Sequence, residues 1–358
     1  MKEEALLITI NNTNYNYGNR LQNYAIVHIL SKMNISCKTL CFEREKGRRI
    51  KLEIKRLCHL FSLYQLTSNK VYWTKTVKKE LAFLKFDEKY IDMHYEENLD
   101  NLRDKYRFYL VGSDQVWNPL WYNNVRKRAY LLDFVKKGKK ICVSPSFGLD
   151  SLPDEWEAYF KEELTKIPFL SVREEQGAKI IRQLTGKRAT VLIDPTMLLE
   201  AEEWRKLEHK PIGYEEEPYI LTYFLSTKCD AAEKIIKDLS KDRNVYELLE
   251  EQDSVTSTAG PAEFLYLFSH ADLILTDSFH ACVFSFLYNK PFLVFDRCES
   301  INMNSRLVTL LQKFDLERKY YLSKMENEIW EHDYTEGYKR LEIERKKAFE
   351  YFMKAFEK

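Results

Sequence analysis

Five short polar segments hold the residue types that do chemistry. They are Asn16-Tyr17-Gly18-Asn19-Arg20-Leu21-Gln22, Gly112-Ser113-Asp114-Gln115-Val116-Trp117-Asn118-Pro119, Ser171-Val172-Arg173-Glu174, Thr276-Asp277-Ser278-Phe279-His280 and Met303-Asn304-Ser305-Arg306. In the fourth, Asp277 or Ser278 can cap a helix. The free N–H groups at such a helix start favour an anion such as phosphate. His280 falls in the first turn, and imidazole is the side chain best suited to trade protons near neutral pH. The ordinary alternative is a capped helix with a packed histidine. Arg173 follows an apolar run and presents a guanidinium suited to a carboxylate or phosphate, or to a salt bridge with Glu174 or Glu175. Arg306 carries the same two readings. In the second segment Gly112 permits a sharp turn. Beyond it, Asp114, Gln115, Trp117 and Asn118 offer acceptors, donors and an aromatic face of the kind that holds sugars, or simply a capped loop over a buried Trp.

The elements that must position these residues follow from hydrophobic patterning. Short apolar runs predict strands at Ala5–Ile10, Cys37–Phe42, Tyr109–Val111, Tyr130–Phe134, Lys140–Ser144, Phe169–Val172 and Thr190–Asp194. A second set falls at Tyr219–Phe224, Val245–Leu249, Asp272–Thr276 and Phe292–Phe295. Helical spacing predicts helices at 21–30, 153–166, 174–184, 230–239, 261–269, 278–288, 305–313 and 335–356. Strand and helix alternate in both halves, which predicts parallel, doubly wound sheets. The expected organisation is an α/β chain with one Rossmann-like domain over 1–197 and a second over 198–330. Helix 331–358 is expected to pack back on the first. Ligands of such sheets sit at the C-terminal strand ends, where the five segments fall.

Composition excludes several classes. The 358 residues carry 56 Lys+Arg against 55 Asp+Glu, a net charge of +1, which argues against nucleic acid as a partner. Seven Cys without a C-x-x-C pair and an acidic N-terminus predict a reduced, cytoplasmic protein without a metal site. There is no G-x-G-x-x-G, no Walker A loop, no Asp-x-Asp and no G-x-S-x-G. Residues 44–80 are a basic insertion. Helix 48–66, with Arg48, Arg49, Lys51, Lys55 and Arg56 beside an apolar face, is either solvated surface or a peripheral contact with anionic membrane.

The chain resembles the polysaccharide pyruvyl transferase family. The resemblance rests on Gly18-Asn19-x-Leu21-Gln22-Asn23-Tyr24-Ala25, Gly112-Ser113-Asp114-Gln115-Val116-Trp117-Asn118, Ser171-Val172-Arg173-Glu174, Ile193-Asp194-Pro195-Thr196 and Ser278-Phe279-His280. It implies a fold similar to two-domain GT-B glycosyltransferases, phosphoenolpyruvate as donor, no cofactor, and a sugar hydroxyl pair on a glycan or lipid-linked saccharide as acceptor. It implies donor binding by Arg173, Ser278, Phe279 and His280. Ser278 departs from relatives that have Arg there, and Arg306 is the expected replacement. His280 is the expected general acid and Asp114 the expected base. Gly18, Asn19, Gln22, Ser113, Asp114, Gln115, Trp117 and Asn118 are the expected acceptor side. Two other readings compete: a GT-B glycosyltransferase using a nucleotide sugar, and an inactive glycan-binding relative.

Overall fold

A computed structural model of the chain describes residues 3–11, 16–42, 68–250, 253, 255–297, 305–321 and 328–357. The basic helix expected at 48–66, and Met303 and Asn304, lie outside the described residues.

The first half is built on an apolar strand, β1 (Glu3–Ile8), whose side chains are buried from Ala5 onward. A strand buried on both faces must be central in a parallel sheet. It lies between β2 (Ile35–Cys41) and β4 (Phe108–Val111), with β3 (Met93–Tyr95) and β5 (Lys139–Cys142) at the edges, all parallel. Two short strands, β6 (Ser171–Val172) and β7 (Thr190–Val191), continue beyond β5 through a bridge between Ile141 and Phe169. The second half forms a four-stranded parallel sheet from β8 (Tyr219–Tyr223), β9 (Asn244–Glu247), β10 (Leu273–Thr276) and β11 (Phe292–Val294), in the order β11-β10-β8-β9. Strand order reverses between β1 and β4 in one sheet and between β8 and β10 in the other. Each reversal opens a crevice at the strand C-termini. The expected α/β architecture, two doubly wound sheets facing a cleft in the GT-B manner, is therefore what the chain adopts.

Helices α1 (Tyr17–Lys32), α2 (Ser68–Tyr90), α3 (Asn124–Tyr130), α4 (Asp154–Thr165), α5 (Glu175–Thr185) and α6 (Ala201–Arg205) flank the first sheet and the crossing. Helices α7 (Asp230–Leu239), α8 (Pro261–His270), α9 (Phe279–Leu287), α10 (Ser305–Lys313) and α11 (Thr335–Phe356) complete the second half. One expected strand is corrected. Residues 130–134 end α3 and continue as a turn, because Asn123 caps the helix by accepting from Arg126 N at 2.8 Å and Leu132 takes a left-handed φ of 55°. The apolar run there fills the core as a turn, a case that periodicity cannot distinguish from a short strand. Helix α2 and strand β3 were not expected. No helix among the described residues is long and apolar enough to cross a membrane.

One apolar core runs through both halves. Tyr17 of α1 stacks on Phe264 of α8 at 4.8 Å, and its hydroxyl donates to Ala259 O at 3.0 Å. The last helix ties the halves together. Tyr338 donates to Phe286 O at 2.8 Å in the second half. Tyr351 donates to Cys142 O and Phe169 O at 2.8 Å, and Phe356 packs on Phe108 at 4.9 Å, in the first. Between them the buried Arg345 donates to Met197 O at 2.8 Å and Leu199 O at 2.9 Å, in the segment that joins the sheets, and also pairs with Glu200. Hydrogen bonds to a charged group contribute about 1.5–3 kcal/mol each, and losing one here strands buried carbonyls. Arg345→Ala is expected to lower unfolding free energy by about 2–4 kcal/mol, read from the shift in a urea transition; an unchanged midpoint would show that the clasp is dispensable.

Candidate active site

The polar residues after β1, β4 and β7 meet those after β10 in the cleft. Gly112, at the end of β4, has φ +116°, and a Cβ there would stand 2.3 Å from Val143 O, so the turn requires glycine. Asp114 follows with φ +66°, an uncommon conformation for a residue with a side chain. Its carbonyl accepts from Val116 N at 2.8 Å and Ser146 N at 2.7 Å, which fixes that conformation and aims the carboxylate into the cleft. Gln22 of α1 braces the turn from behind, accepting from Ser113 N at 3.0 Å and donating to Thr9 Oγ1 at 2.7 Å.

A buried charge cluster forms the wall. Arg173 reaches Asp194 Oδ2 at 2.6 Å with one nitrogen and Asp114 Oδ1 at 3.2 Å with the other. Its guanidinium carbon lies 4.5 Å from the centre of the Phe279 ring. Asp194 also accepts from Ser113 Oγ at 3.0 Å and from Thr196 Oγ1 at 2.6 Å. Asn19 donates to the remaining oxygen of Asp114. Burial opposes ionisation of both aspartates, but Arg173, His280 and Arg306 outweigh it at Asp114 and hold its carboxyl below the usual range. The same contest at Asp194, won by His280, Arg173 and Thr196, holds that carboxyl far below the usual range.

His280 is where the two halves touch at the chemistry. Its ring lies directly against Gly18, where an added Cβ would come within 2.0 Å of Nδ1. Its Nε2 is 3.7 Å from Asp194 Oδ2 and has no hydrogen-bond partner among the described residues. Arg306 is also buried, 3.8 Å from Asp114 Oδ1, and its Nε is likewise unpartnered. Burial first, then the neighbouring Arg173 charge, pushes its pKa down to about 10, so it is still a cation at neutral pH. These groups open onto a cavity of about 330 Å³. Its second-half wall is Leu225, Ser278, Phe279, His280, Arg297 and Arg306; its first-half wall is Ile10, Asn16, Asn19, Asp114, Gln115, Arg126 and Tyr130. On the second-half wall His280, Arg306 and Arg297, the last also 3.9 Å from Asp277, outnumber the one aspartate of the lining, Asp114, which is already paired with Arg173, and make that wall a site for an anion.

Several expected residues stand elsewhere. Arg173 lies behind the lining, its two terminal nitrogens on aspartates. Trp117 is fully buried, tilted against Phe147 and donating to Tyr130 O at 3.0 Å, so it offers no face to the cavity. Asn118 caps the turn 119–121, accepting from Leu120 N at 3.1 Å. Gln22 and Ser113 support the turn from inside. Asp277 does not cap α9. Its carboxylate accepts from Leu225 N at 2.7 Å and from Ser226 N at 2.9 Å, joining the β8 and β10 exits. The Ser278 side chain makes no cap hydrogen bond either, which leaves that helix start open to the cavity. Residues without an expected site role are Asp194, Arg297, Arg126, Asn16 and Tyr130. Asp194 and Arg297 follow β7 and β11 by the same strand-exit logic that singled out Asp114; Arg126 and Tyr130 lie on a short helix that no strand end marks. No group of three or more His, Cys, Asp or Glu side chains among the described residues is placed to hold a metal.

The depressed aspartates set the sign of an acid effect. A carboxyl whose pKa is lower folded than unfolded contributes stability above its unfolded pKa of about 3.9, lost as pH falls through the folded value. Stability should therefore decline below about pH 4, and Asp194→Asn should flatten that decline while lowering stability at neutral pH. Denaturant unfolding at stepped pH reads this; an equally steep acid limb in the variant would contradict it.

Comparisons with known proteins complete the description. The family model described as polysaccharide pyruvyl transferase matches residues 16–299. No curated protein matches. Among solved structures, a UDP-N-acetylglucosamine 2-epimerase aligns with a TM-score of 0.47 at 11% identity, over 99% of this chain and 96% of that one. The UDP-GlcNAc 2-epimerase of Neisseria meningitidis, bound to UDP-GlcNAc, aligns at 0.44 and 12%, over 98% and 100%. That of Methanocaldococcus jannaschii aligns at 0.44 and 11%, over 97% and 99%.

Proposed function

The chain belongs to the polysaccharide pyruvyl transferase family, a family of transferases, and from that premise we propose that it moves the pyruvyl group of phosphoenolpyruvate onto two hydroxyls of a sugar. The product is a pyruvate ketal on a polysaccharide or its lipid-linked precursor, with phosphate released. The observation that carries this reading is the cationic second-half wall. His280 Nε2 and Arg306 Nε are buried without hydrogen-bond partners, beside Arg297 and an uncapped helix start. Phosphoenolpyruvate brings a carboxylate and a phosphate of about −1.5 to −2 charge, which such a wall is suited to hold.

The chemistry assigns the parts. C3 of the donor takes a proton from His280, which turns the vinyl carbon pair into a methyl group and an electrophilic C2. A sugar hydroxyl oxygen bonds to C2 and gives up its proton. The second hydroxyl oxygen then bonds to C2, the bond from C2 to the phosphate oxygen breaks, and the second hydroxyl's proton leaves with the phosphate as the ketal closes. Asp114 faces the acceptor wall and can accept a hydroxyl proton. Its depressed basicity makes it better at orienting the hydroxyl and stabilising positive charge than at retaining the proton. Arg173 supports the donor through Phe279 and Asp194 rather than by contact. The replacement expected for the missing second-half arginine falls to Arg306, with Arg297 beside it.

Release of phosphate from phosphoenolpyruvate in the presence of cell-envelope glycans, with a matching mass gain on the glycan, tests the reading directly. His280→Ala, with Arg306, Arg297 and the open helix start still in place, should weaken donor binding only modestly and slow turnover by about 10²–10⁴-fold. Arg306→Gln should instead raise the KM for phosphoenolpyruvate by roughly tenfold or more, the loss of one charge-assisted contact. Consumption of a nucleotide sugar in place of phosphoenolpyruvate would overturn the assignment.

A further inference from the structure

Charge is distributed unevenly around the cavity once the donor is seated. The donor reading uses His280, Arg297 and Arg306, all on the second-half wall. The first-half wall carries one cation of its own, Arg126, in the third position of α3. Other arginines of that half near it or near the site are committed. Arg20 pairs with Asp87 at 2.9 Å, Arg128 with Asp133 at 3.1 Å, and Arg173 with both aspartates. Arg126 pairs with no carboxylate among the described residues, although Asp114 stands in the same lining.

Its surroundings are those of a sugar site. Tyr130, one turn on, lines the same wall with Gln115, Asn16 and Asn19; Asn19 also donates to Asp114 and the Asn16 side chain accepts from Asn19 N at 3.2 Å. Neutral donors and acceptors of this kind recognise hydroxyl groups, and a guanidinium among them recognises a carboxylate or phosphate in bidentate fashion. A neutral acceptor packed against it would leave a half-buried cation without a counter-charge, at a cost in desolvation.

We propose that Arg126 makes this a site for an acidic acceptor, a sugar unit that carries an oxyanion next to the hydroxyl pair. The proposal rests on the pyruvyl-transfer reading and adds the acceptor's chemical class to it. Arg126 is half-buried on a short helix and makes no ion pair among the described residues, so Arg126→Gln removes the charge without breaking a salt bridge.

The test uses the full chain saturated with phosphoenolpyruvate, so that the second-half cations are occupied. Glucuronic acid, glucose 6-phosphate and glucose are then titrated, with thermal stability and intrinsic tryptophan fluorescence as readouts. At least one of the two anionic sugars should bind and raise the melting temperature further, and glucose should not. Comparing the two identifies carboxylate or phosphate as the source. Arg126→Gln should weaken that binding by roughly ten- to a hundredfold and leave phosphoenolpyruvate affinity unchanged. Equal behaviour of glucose and the anionic sugars would overturn the proposal. So would anionic sugars that displace phosphoenolpyruvate, or an Arg126→Gln variant that loses donor affinity instead. Failure of phosphoenolpyruvate itself to stabilise the wild type would strike the donor reading, a separate outcome.

Discussion

The buried cluster of Asp114, Arg173 and Asp194 is the constraint around which the rest of the site is arranged. Three charges taken out of water are tolerated only if each is met by opposite charge and by hydrogen bonds. The fold supplies these from elements far apart in sequence: Asn19 from α1, Ser113 from the β4 exit, Thr196 from the segment joining the sheets. Removing one partner of a buried pair typically costs about 3–5 kcal/mol, so the cluster fixes the relative positions of the three strand ends of β4, β6 and β7. With those ends fixed, His280 and Arg306 are presented at the rim of the cluster, ion-paired at 3.7–3.8 Å with its aspartates but each with one nitrogen that makes no hydrogen bond among the described residues.

The cluster also links the two halves. Asp194 lies on the first-half side of the crossing and His280 on the second, 3.7 Å away. Phe279 brings its ring under Arg173 from the same second-half helix. The bare Cα of Gly18 is what allows the histidine to come so close to α1. The clasp at Arg345 and the shared apolar core hold the cleft in this geometry from the opposite side. Stability and chemistry therefore draw on the same contacts. Substitutions in the cluster will change both, and substitutions at the cavity surface, such as Arg306 or Arg126, separate them better.

Much of this is legible in the amino-acid sequence. Alternating apolar runs and helical spacing located most strands and helices, because buried parallel strands and amphipathic helices leave unmistakable patterns. The rule that ligands meet strand C-termini singles out Asp114 and His280, and Arg306 stands at the opening of a late helix. What the pattern does not encode is which way a side chain faces once its strand ends. Arg173 and Arg306 look alike as cations among polar neighbours, yet one hydrogen-bonds two aspartates behind the lining and the other lines the cavity, 3.8 Å from Asp114 and with its Nε unbonded. Trp117 has the composition of a sugar platform and is instead the packing partner of Phe147. Arg126 lies on a helix of seven residues with no strand end to mark it, and only tertiary placement brings it to the cavity. The run 130–134 is as apolar as a strand, but the Asn123 cap commits the preceding residues to a helix.

The central claim is that the donor's C3 is protonated and its C2 is attacked, rather than its phosphorus. Running the transfer in D2O and examining the glycan product by mass spectrometry and NMR distinguishes these outcomes. The account predicts a ketal whose methyl group carries one deuterium, with free phosphate in equal amount. A phosphorylated glycan with pyruvate released, or a ketal methyl without deuterium, would contradict it.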